Sequence, residues 1–330
     1  MFRNSTKYSS VVRAAVLLPF QPSPNLVGHP VETKSFKSLD PITRNSYNPE
    51  MPSYSFNGQS FQVSYPAVMG ILNLTPDSFS DGGKFLETGK AVEQALKMNA
   101  NGAQIIDLGG ESTRPGSKPV SQQEEIDRVL PVLEGLPTDR FLISVDTTKP
   151  AVARASLEAG AHILNDVSGG NPELLELAQN HQAGFILMHA QGNPQVMQDN
   201  PDYQDVVSEV LSFFVEKKKR LAALSIPRIW IDPGIGFGKS LEHNLDLMRN
   251  LDAFRDDGWG TLLGSSRKSW IDGLCQAPDP TDRLGGSIAS AIWAIQHRVE
   301  IIRVHDVAET KQALHVAIEL AQSQKRPYND

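Results

Sequence analysis

From Pro66 to the C-terminus the chain repeats one pattern eight times: a short apolar run, a polar loop rich in turn residues, then a stretch with helical periodicity. The apolar runs are Ala67–Leu72, Gln104–Leu108, Phe141–Val145, His162–Leu164, Gly184–Met188, Arg228–Ile231, Thr261–Leu263 and Ile301–Val304. The helical stretches between and after them include Ala91–Ala100, Gln122–Leu136, Pro150–Gly160, Pro172–Gln182, Asp205–Leu224, Leu241–Phe254, Thr281–Gln296 and Ala308–Gln322. The first run, up to Leu72, carries no charge, which suits a strand covered on both faces. A strand that returns through a right-handed helical crossover pairs parallel to its predecessor. Eight such units predict a closed α/β (β/α)8 TIM barrel, for which about 250 residues is typical. An open doubly wound sheet is the competing arrangement. It usually has fewer units and a Gly-x-Gly-x-x-Gly turn, and Gly234-Ile235-Gly236-Phe237-Gly238 has a different spacing.

The barrel domain is assigned to residues 51–330. Ahead of its first strand, Tyr54–Val63 reads as an N-terminal β-hairpin, with alternating aromatics flanking Asn57-Gly58, a type I′ turn signal. Residues 1–50 stand apart. Met1–Pro30 contains Arg3, Lys7 and Arg13 and no acid, with frequent Ser, Pro and Asn. A disordered N-terminal extension of a cytoplasmic protein is the preferred reading; an organelle transit peptide is the competing one. The formal net charge of −7 gives no footing for nucleic acid or an acidic membrane surface. No apolar run approaches the ~20 residues a membrane span needs. Cys275 is the single cysteine, which excludes an intrachain disulfide and a Cys-rich metal site.

A barrel gathers the residues that follow its strands onto one face. Here they are Asn73, Thr75 and Asp77; Asp107 and the loop Gly109–Gly116; Asp146; Asn165-Asp166; Met188-His189; Asp232 with Phe237 and Lys239; Ser265–Ser269; and Arg303, His305 and Asp306. One acid in such a loop is usually a cap or an anchor. Acids or amides after strands one, two, three, four and six are too many for that, because buried carboxylates cost several kcal/mol unless donors or cations compensate. Asp146, Asn165 and Asp232 suit a flat heterocycle rich in N–H groups. Arg267, Lys268, Arg303 and His305 suit an anion, near strands seven and eight where this fold usually binds phosphate. Asn73 can offer an oxygen to a Mg²⁺ that shares the phosphate oxygens. His189 and His305 stand on different strands, which gives no zinc signature.

The strings N-L-T-P-D-S-F-S-D-G-G, G-G-E-S-T-R-P-G, N-D-V-S-G-G, D-P-G-I-G-F-G-K, S-R-K-S and R-V-H-D, in this order, resemble those of the dihydropteroate synthase family, the sulfonamide-target, pterin-binding enzymes of folate synthesis. The resemblance runs from about Tyr54 to the C-terminus. It implies a transferase, commonly a homodimer, that joins 6-hydroxymethyl-7,8-dihydropterin diphosphate to 4-aminobenzoate and releases diphosphate. It also implies roles. Asp146, Asn165, Asp232 and Lys268 would surround the pterin ring, with Met188 packed near it. Arg303, His305 and Asn73 would hold the diphosphate and its Mg²⁺. Ser112, Thr113, Arg114 and Pro115 would close over the aminobenzoate, Phe237, Gly236 and Ser269 would complete that pocket, and Asp77 would enter on the first loop. Asp146, Lys268 and Arg303 are the expected catalytic set.

Two other readings compete. A methyltetrahydrofolate-binding barrel would keep the acceptors after strands three, four and six but has no use for Ser112-Thr113-Arg114 or Arg303-Val304-His305. A catalytically weakened scaffold is disfavoured by the intact loops. The loop Met188–Gln198 and Gln104 depart from the usual family pattern.

Overall fold

The computed structural model describes residues 53–75, 84–112, 119–192, 201–256 and 258–323. The expected extension, residues 1–50, lies outside them, as do Asp77, Thr113, Arg114 and Pro115.

Hairpin strands β1 (Ser53–Phe56) and β2 (Gln59–Gln62) pair antiparallel. Asn57 (φ 46°) and Gly58 (φ 77°) both take the left-handed conformation that a type I′ turn requires. The remaining described strands are β3 (Ala67–Asn73), β4 (Ile105–Gly109), β5 (Leu142–Asp146), β6 (Ile163–Asp166), β7 (Gly184–Met188), β8 (Ile229–Asp232), β9 (Gly260–Leu263) and β10 (Ile301–Val304). They form a closed barrel in sequence order, with β10 pairing β3 in parallel. The expected (β/α)8 barrel is thus what the chain forms.

Several strands run one residue past the apolar run that announces them. Hydrophobicity stops at the polar residue, but the parallel ladder continues through it. Asn73 pairs with Gly109, Asp146 with Asn165, and Met188 with Asp232. The polar side chains at the mouth of the barrel therefore stand on hydrogen-bonded backbone, not on free loop.

The helices are α1 (Lys84–Ala100), α2 (Gln122–Glu134), α3 (Pro150–Glu158), α4 (Pro172–Asn180), α5 (Val206–Leu221), α6 (Leu241–Arg249), α7 (Ser269–Cys275), α8 (Leu284–Gln296) and α9 (Val307–Ser323). Ser121 caps α2 by accepting from Glu124 N at 3.2 Å. The stretch Leu241–Phe254 is not one helix: Asn250 Nδ2 donates back to the Asp246 carbonyl at 2.8 Å, and a 3-10 turn takes over at Leu251–Phe254. The short α7 is not apparent from the apolar pattern.

Two apolar layers result. Outward-facing strand residues such as Val68, Ile106, Ile143, Leu164, Leu187, Ile231, Leu263 and Ile302 pack against Ala95, Val129, Leu174 and Leu247 on the helices. Inside the barrel every strand contributes to a second layer: Ala67 and Met69 from β3, then Ile105, Leu142, Ile163, Ile186, Trp230, Leu262 and Ile301. Phe56, Phe61 and Val63 from the hairpin region close that layer from below. Among the described residues no helix is long and apolar enough to cross a membrane.

Candidate active site

Side chains two apart on a strand share a face, so counting upward from the inner apolar layer locates the site. Two residues above that layer stand Ile71, Asp107, Ser144, Asn165, Met188, Asp232, Gly264 and Arg303; two further stand Asn73 and Asp146, with His305 just past the end of β10. The barrel interior thus changes from wholly apolar to mainly polar within one step, with Ile71, Met188 and Gly264 as the non-polar positions.

Arg303 organises this floor. Its Nε donates to Asp107 Oδ2 at 2.6 Å and its Nη2 to Asp146 Oδ2 at 3.0 Å. Asn165 Nδ2 donates to the same Asp107 oxygen at 3.0 Å. A Cβ built on Gly264 would lie 3.4 Å from Asp232 Oδ2 and 3.9 Å from Arg303 Cβ, so Asp232 and the Arg303 stem border the same gap. A Cβ built on Gly109 would lie 3.6 Å from Asn73 Oδ1 and 4.0 Å from Asp146 Cβ, which sets Asn73 beside Asp146. Asp107 Oδ1 and Asp146 Oδ1 are buried and have no hydrogen-bond partner among the described residues.

One guanidinium serves two buried carboxylates, and the titration behaviour follows. Burial pushes the Asp146 carboxyl well above the usual carboxylate range; Arg303 pulls it back only in part, and Asp107 adds to the rise. Burial also raises Asp232, with Lys268 opposing. Burial lowers Lys268 to about 8 despite Asp232 nearby. For Arg303 burial works against the charge, but Asp107 and Asp146 outweigh it and strengthen its hold on the proton.

Lys268 reaches the floor from the loop after β9. It donates to the Ile235 carbonyl, and its Nζ lies 4.5 Å from the centroid of the Phe237 ring. Gly236 lies beneath it: a Cβ there would be 3.1 Å from Lys268 Cδ. His305 Nδ1 is 3.1 Å from Ser266 Oγ.

The structure therefore brings together Asn73, Asp146, Asn165, Met188, Asp232, Lys268 and Arg303, with Gly236 and Phe237 on the adjoining loop; His305 stands two residues past Arg303, against Ser266. Ser269 is exposed at the start of α7, next to Lys268, and Ser112 is half-buried just past β4. Asp77, Thr113, Arg114 and Pro115 lie outside the described residues. Asp107 is a site residue that the family strings do not supply. Its signal is present in the sequence: it is the one charge inside the run Ile105-Ile106-Asp107-Leu108. Arg267, grouped above with the anion-binding cations, is committed elsewhere. It forks onto Asp306, with Nε to Oδ2 at 2.9 Å, and ties the β9 and β10 loops together.

The family described as pterin binding enzyme matches residues 69–305. Dihydropteroate synthase of Escherichia coli K12 is 48% identical over 264 residues, covering 78% of this chain and 93% of that protein. The crystal structure of Yersinia pestis dihydropteroate synthase in a sulfonamide drug complex superposes with a TM-score of 0.74 at 43% identity, covering 82% of this chain and 99% of that one. Burkholderia cenocepacia dihydropteroate synthase, complexed with 7,8-dihydropteroate, gives 0.72 at 38% identity, covering 81% and 96%. A barrel mouth built of paired carboxylates, an amide and a shared guanidinium, together with these matches, makes the chain a member of the pterin-binding enzyme family and, within it, of the dihydropteroate synthases.

Proposed function

We propose that this barrel joins 6-hydroxymethyl-7,8-dihydropterin diphosphate to 4-aminobenzoate, with the ring seated on the acceptor floor and the diphosphate on the cation side. The observation that carries this is the Asp107–Arg303–Asp146 triangle, with two buried carboxylate oxygens that have no partner among the described residues. Such oxygens are costly unless N–H groups reach them, and the edge of a dihydropterin supplies them. Asn165 and Asp232 extend the same floor, and Met188, buried beside Asp232, adds an apolar contact for the ring.

In the reaction the C–O bond between the pterin methylene and the diphosphate breaks, and its electron pair leaves with the diphosphate. The methylene cation is conjugated with the ring, and Asp146 is proposed as the carboxylate that stabilises that charge. Arg303, already held on its inner edge by the two carboxylates, has N–H groups left for the phosphate oxygens, and His305 stands two residues further along the chain. The amine nitrogen of 4-aminobenzoate then forms the new C–N bond and gives up a proton to solvent or diphosphate. No nucleophilic side chain is needed. Phe237, Gly236 and Ser269, with Ser112, Thr113, Arg114 and Pro115, are proposed for the aminobenzoate side, and Asp77 for the first loop.

The donor set fits Mg²⁺ in one way. Among the described residues no group of three His, Cys, Asp or Glu can hold a metal alone, and Asn73 offers a single amide oxygen. Mg²⁺ commonly takes one or two protein oxygens when substrate phosphates complete its shell. Asn73 would thus hold a Mg²⁺ that arrives with the diphosphate and whose chemistry there is to neutralise the leaving group.

The direct test supplies the dihydropterin diphosphate, Mg²⁺ and 4-aminobenzoate and looks for 7,8-dihydropteroate; absence of product with folded protein would overturn the assignment. Residues 51–330 are proposed as the catalytic unit of a cytoplasmic homodimer. In support, the site residues lie between Asn73 and His305, and the E. coli enzyme aligns over 93% of its own length with 78% of this chain. Deleting residues 1–50 is expected to leave kcat and KM unchanged, and sedimentation is expected to report twice the chain mass.

A further inference from the structure

Two lysines grip the loop after β8, one on each side of Phe237. Lys268, described above, holds the Ile235 carbonyl and sits over the ring. The other is Lys239, which the proposed chemistry does not use. It is 3% exposed. Its Nζ donates to the Phe237 carbonyl at 2.9 Å and meets His189 Nδ1 at 3.1 Å and the His189 carbonyl at 3.4 Å. Burial, then the charge of Lys239, lowers the His189 pKa to about 3, so the imidazole is neutral. Burial lowers the Lys239 ammonium to about 7, with Asp232 opposing; in its charged form it only donates, so Nδ1 then accepts and the ring proton is on Nε2.

The backbones joined by this contact are already pressed together. A Cβ on Gly234 (φ +70°) would lie 1.8 Å from the His189 oxygen, and one on Gly238 (φ +61°) 2.4 Å from the Gln191 oxygen. The end of β7 and the β8 loop are therefore one layer, and Lys239 is the side chain that pins it. All its direct partners are neutral acceptors; Asp232 acts on it through the field only. An apolar side chain of similar length would fill this space without burying a charge. What the ammonium adds is simultaneous hold on Phe237 and His189.

We propose that Lys239 is a positioning residue: by holding the Phe237 carbonyl and the His189 ring at once, it sets the Phe237 ring against the pocket and thereby the affinity for the aromatic amine substrate. This rests on the assignment of Phe237 to the aminobenzoate side. The test is steady-state kinetics of the full chain with both substrates. Lys239→Met keeps the stem and removes the donor. His189→Phe removes the ring acceptor and keeps the bulk. Each is expected to raise KM for 4-aminobenzoate about tenfold, the equivalent of one hydrogen bond. KM for the pterin diphosphate is expected to stay within about twofold, and His189→Asn, whose amide oxygen replaces Nδ1, to restore most of the loss. The double variant Lys239→Met/His189→Phe is expected to be no worse than either single one, because both break the same strut. An unchanged aminobenzoate KM in either folded variant overturns the inference, as do equal rises in both KM values or additive losses. If Lys239→Met fails to fold, the three-way comparison of wild type, His189→Phe and His189→Asn decides alone. A wild-type chain that makes no dihydropteroate would sink the functional assignment instead, so the two failures are distinct.

Discussion

Arg303 carries two duties that a substitution separates. It neutralises Asp107 and Asp146, and it is assigned to the leaving diphosphate. Arg303→Ala is expected to cut kcat/KM at least about a hundredfold, as loss of a transition-state charge donor does. It is also expected to lower the unfolding free energy by about 3–5 kcal/mol, because it leaves buried carboxylates unpaired. Arg303→Lys keeps a charge but cannot fork between two carboxylates. Denaturant titration is expected to show most of the stability retained, while turnover stays low. Equal activity of Arg303→Ala and wild type would remove the anion assignment.

Lys268 gives a pH signature of opposite sign for folding and for function. An unfolded lysine titrates near about 10.4, and burial brings Lys268 to about 8 in the folded chain. The charged form is the costly one. Its contribution to stability is therefore lowest below about pH 8 and recovers as pH rises from the folded value toward the unfolded one. The family resemblance assigns the Lys268 ammonium to the pterin ring, and on that assignment kcat/KM for the pterin diphosphate is expected to fall above about pH 8. Lys268→Arg stays charged over that range, and its pH profile is expected to lose the alkaline limb whatever its absolute rate.

At the scale of elements, the site depends on how closely loops can approach. The β8 loop passes against the end of β7 at Gly234, where Asp232 Oδ1 also accepts from Gly234 N at 2.8 Å. Gly234→Ala would drive a methyl into the His189 carbonyl at a left-handed backbone position. The loop must shift, taking Phe237 and the Asp232 hydrogen bond with it. A loss of about 2 kcal/mol or more in stability is expected, together with a rise in KM for both substrates. Chemical denaturation and kinetics on the same preparation check it; wild-type behaviour would mean the loop has slack that its contacts do not show.

At the scale of the molecule, the two ends of the barrel do different work. The lower end is a sealed apolar plug in which Phe56 is 1% exposed and packs with Trp230 at 6.2 Å between ring centroids. Glu300 sits at its rim, accepting from Arg228 at 2.7 Å and from the Trp230 indole at 3.2 Å. The upper end holds the charged floor. Phe56→Ala is expected to cost about 3–5 kcal/mol of stability by opening a cavity. It is expected to leave kcat unchanged below the melting temperature, because Phe56 lies below the inner apolar layer that separates it from the charged floor. A fall in kcat without a fall in stability would show that the two ends are coupled.

What the sequence determined by itself is local in origin. Alternating apolar runs and helical stretches are read within a few residues, and they suffice for parallel strands, crossovers and a closed barrel. Asn57-Gly58 announces its hairpin in the same way, and Asp146, Asn165, Asp232 and Arg303 announce themselves as polar residues at strand ends. Only the tertiary structure decided which of these charges meet. Arg303 pairs with Asp107 across 196 residues, Arg267 is taken by Asp306, and Lys239 spends its charge on a histidine and a carbonyl. The docking of the hairpin under the inner layer was settled at the same level. Periodicity reports the face on which a side chain stands, because backbone geometry fixes that residue by residue. Its neighbour across the barrel depends on closure and register of the whole sheet, which no local stretch encodes.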